Sequence, residues 1–387
     1  MKNVKTIVVV GGGYAGINLI ESLKKEFHIE LKKHIRIVLV DKNPFHFKKV
    51  KLFKGIVNED VTDLFVPLNH YCGSMIEFIE GELRTVNADN QTVNIAREGG
   101  ELMLLEYDQL VLALGSVVRE VHSDCGGISL SNLDSAQRIR QHLLGMLGSS
   151  RHTIRLVIAG SGITGIETAA EVSAWLKEET KKAGFKHENV EVFLINHKQR
   201  LLMEAPLKVS ERLEQRLINR GITVIHNKKA EKFLNGKVYF SDKTILEVDA
   251  CIWTVGLQPH PTLINIGLPL NEEGKINVDS RYRLADSENI YAIGDCVHVV
   301  DPTSGKAAAM SCKEAISQAQ RLAKIMRAQI QGHHSAAHQN YPDFLCIGLG
   351  PNDSFVLAQK WGMDFAFSGK LAQKIREYTW NVGSIVH

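Results

Sequence analysis

The chain has 387 residues, of which 44% are hydrophobic and 23% charged, with a formal net charge of +3. This length predicts two or three domains with a sizeable core, and so small a charge excess argues against nucleic acid as a partner. No apolar run reaches the ~18 residues that a membrane-spanning helix needs, and the short run after "MKNVK" feeds a glycine turn, so it reads as a first strand rather than a secretion signal.

Six cysteines (Cys72, Cys125, Cys251, Cys296, Cys312 and Cys346) show no C-x-x-C spacing. That pattern offers neither a zinc cluster nor a local redox pair, so no metal is expected, and free thiols point to a reducing, cytoplasmic setting.

In chain order, "TIVVV" is a strand, "GGGYAG" a glycine turn, Tyr14 to Glu26 a helix and "IRIVLVD", closing on Asp41, a second strand. This is a β-α-β unit. The stretch "GELRTVNADNQTVNI" suits antiparallel hairpins, and "YDQLVLALGS" is a buried strand ending at Gly115. An amphipathic helix is predicted near Asp134–Leu147. The pattern then repeats: strand "IRLVIAG", turn "GSGITG", a long helix, strand "VEVFLIN", and later "DACIWTVGL" with Gly256. After "NIYAIGDC" a helical stretch is predicted from about Lys306 to Gln331, its start near Ala307. A polar His-rich linker leads to a small terminal module.

The duplicated turn has a physical meaning. In G-x-G-x-x-G the first glycine permits the tight turn, the second lets the backbone approach a pyrophosphate and the third allows helix–strand packing; the helix N-terminus supplies donors to the phosphates. Gly11, Gly13 and Gly16 take these roles in the first copy, with Asp41 placed to accept from a ribose hydroxyl. Gly160, Gly162 and Gly165 take them in the second, where Asn196 and His197 replace the acid. A neutral residue flanked by Lys198 and Arg200 tolerates a 2′-phosphate, so both NADH and NADPH are expected to bind. Two nested dinucleotide sites make sense when one holds a flavin and the other delivers hydride to it.

The segments "VVVGGGYAG", "LVLALGS", "VIAGSGITGIETAAE" and "NIYAIGDC" resemble the two-dinucleotide-fold flavoproteins across nearly the whole chain. The tail "FLCIGLGPNDSFV" resembles type II NADH dehydrogenases and the ferroptosis-suppressing, apoptosis-inducing-factor-like quinone reductases. The resemblance implies an α/β fold with two Rossmann-like domains, the second inserted in the first. Residues 1–116 and 280–332 would bind FAD, 117–279 would bind NAD(P)H, and 333–387 would form a C-terminal α+β module.

It further implies that Gly11, Gly13, Tyr14, Ala15, Gly16, Asp41 and Lys42 hold the FAD adenosine diphosphate. Gly115 would sit near the FAD at the crossover, and Asp295 would bond its ribityl or phosphate region. Gly160, Gly162, Ile163, Thr164, Gly165, Asn196 and Gly256 would form the nicotinamide-nucleotide site, with Glu167 near the flavin–nicotinamide contact. The glutamine motif of type II dehydrogenases, roughly A-Q-x-A-x-Q-Q, is not kept: Lys313 and Ser317 stand at its leading glutamines. Lys313 and the positive end of its helix would favour an anionic reduced flavin.

The resulting expectation is an FAD-dependent NAD(P)H oxidoreductase whose acceptor is quinone-like. A sulfide:quinone oxidoreductase using Cys125 and Cys346, and a slow NAD(P)H-sensing flavoprotein, are the alternatives. Lys48, Lys49, Lys51 and Lys54 read as a solvated basic face. In the last helix Leu371, Ile375, Tyr378, Val382 and Ile385 share one side, which suits core packing, a homodimer contact or weak peripheral contact with the cytoplasmic face of a membrane.

Overall fold

The computed structural model describes residues 4–31, 33–147, 153–184, 190–285, 287–342, 344–360 and 363–386. Two five-stranded parallel sheets repeat one plan. The first runs Ile290–Ala292, Gln109–Leu112, Lys5–Val10, Ile35–Asp41, Glu77–Glu80. The second runs Ile128–Ser129, Ala250–Trp253, Ile154–Ala159, Val190–Ile195, Ile222–Ile225. All strands of the second lie in sequence between Gln109–Leu112 and Ile290–Ala292 of the first.

The register repeats as well: Lys5 faces Ile35 as Ile154 faces Val190, and Val10 faces Val40 as Ala159 faces Ile195. Asp41 and Asn196 therefore occupy equivalent strand ends. The central strands "TIVVV" and "IRLVIA" are almost wholly buried, as expected of parallel strands covered on both faces. Each buried Val or Ile contributes about 1.5–3 kcal/mol by leaving water.

A two-stranded antiparallel ribbon, Ser116–Val118 with Leu257–Pro259, connects the halves. Leu263, Ile266 and Ile276 already belong to the first core. Hairpin sheets follow each unit, at residues 82–106 and 230–247. The late helix spans Cys312–Gln331 rather than starting near Ala307: the Ser311 side chain accepts from Glu314 N and sets its first turn. Helix Tyr14–Glu26 packs along it.

The C-terminal module is an antiparallel sheet, Phe344–Gly348, Ser354–Lys360 and Met363–Gly369, followed by helix Lys370–Gly383. Ala372 and Ile375 pack on Cys346 and Val356, so Ile375 is turned inward. Leu371 (64% exposed), Tyr378 (68%) and Val382 face outward beside exposed Lys370 and Lys374. Among the described residues no helix is long and apolar enough to cross a membrane.

The module is fastened at both ends. Tyr71 Oη donates to Ser384 O (2.6 Å) and Asn18 Nδ2 to Gly383 O (3.0 Å), holding the helix end on the first domain. Asp353 accepts from Arg216 (3.0 Å) and Arg220 (2.9 Å) of the second domain and from Gly369 N (2.7 Å). Asp353→Ala removes a mostly buried carboxylate from two half-exposed arginines. It should cost about 1–2 kcal/mol, read as a lower midpoint in urea unfolding with the slope unchanged.

Candidate active site

The two glycine turns are built alike. Gly11 has φ +113° and Gly160 φ +123°; a Cβ at either would lie 2.3 Å from a carbonyl oxygen, of Ala113 and Thr254 respectively. A Cβ on Gly16 or Gly165 would strike the carbonyl of Gly11 or Gly160 at 1.8 and 1.9 Å, so each helix is pressed against its own turn. Gly13 and Gly162 face open space instead. That clearance is what a close-approaching phosphate requires.

The first turn opens into a cavity whose walls include Gly11, Gly13, Tyr14, Ala15, Asp41, Lys42, Gly115 and Asp295. Gly16 lies beneath it. Asp41 Oδ2 accepts from Gly12 N (2.6 Å) and its Oδ1 from Asn43 N (2.8 Å), which fixes the carboxylate at the cavity wall. Asp295 accepts from Ser116 Oγ at 2.6 Å. Burial pushes its carboxyl up, while Ser116 and the Lys49 ammonium oppose that shift.

Lys49 departs from the expected solvated face. Its Nζ donates to Ser116 O (2.8 Å) within the cavity wall, and Asp295 and Asp41 are the acids that counter its burial. Lys48 is buried, Lys51 pairs with Asp63 (3.3 Å) and lies over Trp380 (5.3 Å), and Lys54 pairs with buried Glu171 (2.6 Å). A basic run with no apolar periodicity gave no signal for this inward turn. His46 was missed as well: its Nδ1 donates to Gly12 O (3.0 Å), its Nε2 lies 3.3 Å from Ser384 Oγ, and burial lowers its pKa to about 4, so it is neutral. A cation in the wall, two carboxylates and a cleared glycine turn in one cavity fit a dinucleotide such as FAD, pyrophosphate at the turn and hydroxyls at the acids.

At the second turn Asn196 is 1% exposed. Its Oδ1 accepts from Ser161 Oγ (2.7 Å) and Lys198 N (3.1 Å), as Asp41 accepts from Gly12 N in the first copy. The Lys198 N–H fixes the amide orientation, so Nδ2 donates to His226 Nδ1 (2.8 Å) and His226 Nε2–H donates to Glu214 (2.9 Å). Arg200 does not flank this site as a free cation: its guanidinium donates to the carbonyls of Leu202, Met203 and Ala205 and to Ser210 Oγ. Lys198 is exposed. Ile163 and Thr164 open the helix Ile163–Lys182, Ile163 being exposed at its tip, and Gly256 faces open space at φ +95°.

Glu167, one helical step further, is 2% exposed and faces the C-terminal module. Its Oε1 accepts from Gly348 N (2.7 Å) and from Arg376 Nε (2.9 Å) and Nη2 (2.6 Å). Burial pushes its carboxyl up, and Arg376 is the leading opposing influence. Arg376 in turn stacks over Trp380 at 4.8 Å. Glu167 is thus committed to an ion pair rather than held free for a nicotinamide. Lys313 lies near by, its Nζ donating to Phe344 O (3.0 Å) over the Phe344 ring (4.0 Å). Its neighbour Cys312 lines the cavity. Cys125 and Cys346 belong to separate apolar clusters, one on the second sheet and one in the C-terminal module.

Comparison with known proteins agrees with this geometry. The chain is 23% identical to the NADH dehydrogenase-like protein YutJ of Bacillus subtilis, covering 89% of each chain. It is 24% identical to the demethylphylloquinone reductase NdbB of Synechocystis, covering 95% of this chain and 89% of that one. Its fold matches NDH2 of Plasmodium falciparum in complex with NADH at a TM-score of 0.82, with 14% identity over 99% of this chain and 97% of the other. Residues 5–321 match the pyridine nucleotide-disulphide oxidoreductase family. The chain belongs to that family, as an oxidoreductase that uses FAD and a nicotinamide nucleotide.

Proposed function

We propose that the protein takes hydride from NADH or NADPH and passes the electrons through FAD to a quinone. The observation that carries this reading is the matched pair of glycine turns, each with its strand-end polar residue, on two sheets of one plan. The quinone is supported by the relatives, one of which bears the name of a quinone reductase. FAD supplies the two-electron relay. The chain's own residues bind and orient: Gly13 and Gly162 clear space for phosphates, Asp41 accepts from a ribose and Lys49 offsets pyrophosphate charge.

Asn196 is the basis for accepting both nucleotides, since its neutral amide neither demands a diol nor repels a phosphate. The outward Leu371, Tyr378 and Val382 beside Lys370 and Lys374 support peripheral contact with a membrane, where quinones reside. Separation of Cys125 from Cys346 weighs against sulfide chemistry.

Steady-state rates with a soluble quinone should give parallel double-reciprocal lines for NADH and for NADPH; intersecting lines, or no quinone turnover, would refute the scheme. Asn196→Asp should lower kcat/KM for NADPH about tenfold relative to NADH, because a carboxylate there repels the 2′-phosphate. Lys49→Met should weaken FAD about 10- to 100-fold through loss of one charge-assisted contact, measured as flavin fluorescence released on dilution.

A further inference from the structure

Where the helix Ile163–Lys182, the 312–331 helix and the C-terminal module meet, a buried arginine and a half-buried lysine lie near one buried carboxylate. Arg376 is matched by Glu167. Lys313 is not: among the described residues it donates to the Phe344 carbonyl and lies over the Phe344 ring. The titratable groups that face it are Cys312 on its own helix, Cys346 on the first strand of the module, Arg376 on the last helix and Glu167 on the nucleotide helix. Among these described groups Glu167 is the one carboxylate, and three donors already occupy one of its oxygens.

Lys313 also sits in the first turn of its helix, at the positive end of the dipole. Among the described residues the cluster therefore holds more positive than negative charge, and burial lowers the Lys313 pKa to about 8. Cys312, the adjacent residue, lines the FAD cavity.

We propose that Lys313 is the proton donor to the acceptor as it is reduced, which rests on the reading of that acceptor as a quinone. A quinone needs two electrons and two protons to become a quinol. The electron pair and one hydrogen reach it as the hydride equivalent from the reduced flavin. The second proton leaves Lys313 Nζ for the other carbonyl oxygen, which becomes a hydroxyl as its C=O π bond opens. The neutral amine then recovers a proton from water. The pH sense follows: the donor form is present below about pH 8 and is lost above it.

The test uses the FAD-loaded protein, reduced anaerobically with NADH and then mixed with either a soluble quinone or ferricyanide, which takes one electron and no proton. In the wild type the ratio of quinone to ferricyanide reoxidation rates should be level below about pH 8 and fall roughly tenfold per unit above it. Lys313→Gln should lower that ratio about 100-fold and flatten its pH profile. Lys313→Arg, which keeps the charge but cannot release the proton, should resemble Lys313→Gln.

Independently of turnover, acetylation of Lys313 read by peptide mass spectrometry should show a midpoint near pH 8 in the wild type. An unchanged ratio in Lys313→Gln, a wild-type ratio in Lys313→Arg, or an acetylation midpoint at the ordinary lysine value would each overturn the proposal. Reduced wild type that reacts with ferricyanide and with no quinone at any pH overturns the acceptor reading, and the proposal with it. A variant that does not fold leaves the wild-type pH profile and the acetylation midpoint to decide.

Discussion

Glu167 stands two residues beyond the last glycine of the second turn, and its carboxylate is gripped by the Arg376 guanidinium and the Gly348 amide. Three elements meet there: the helix Ile163–Lys182, the first strand of the C-terminal sheet and the helix Lys370–Gly383. Breaking such a buried pair typically costs about 3–5 kcal/mol, because the surviving charge is left without a partner. The nucleotide turn therefore cannot shift independently of the C-terminal module. The far end of that module is fixed to the first domain through Tyr71, Asn18 and the His46–Ser384 contact. The helix Lys370–Gly383 thus ties a buried polar cluster beside the second turn to another beside the first.

Within this frame the two copies of one fold have diverged by chemistry rather than shape. In the first, a carboxylate at the strand end is locked to the glycine turn, and Lys49 lines the cavity with its ammonium on Ser116 O. These are features suited to a ligand that stays. In the second, the equivalent residue is a neutral amide in a hydrogen-bond chain through Ser161, His226 and Glu214, with no cationic side chain bonded to it among the described residues. Weaker charge complementarity suits a ligand that exchanges every cycle.

Much of this was legible in the sequence because it is local. Glycine spacing, apolar runs and the acid at Asp41 lie within single β-α-β units, and those units recur in the fold with identical register. What the sequence did not disclose is long-range. Nothing near Glu167 announces Arg376, 209 residues away. The run of Lys48 to Lys54 looks solvated, yet Lys48 is buried while Lys49, Lys51 and Lys54 each find an acid, a ring or a carbonyl. Arg200 reads as a free cation beside Asn196, yet its guanidinium closes its own loop. The late helix starts at Cys312 because Ser311 caps it, a detail that brings Cys312 to the cavity and Lys313 to the cluster.

The central claim is that one turn presents a nicotinamide nucleotide to a flavin held by the other, and that the electrons then leave for a quinone. Anaerobic rapid mixing of the FAD-loaded protein with NADH, followed by a soluble quinone, tests it most directly. The account predicts complete bleaching of the flavin by one equivalent of NADH and full return of colour with one equivalent of quinone. A flavin that stays oxidised, or a long-lived charge-transfer complex that quinone does not discharge, would contradict it.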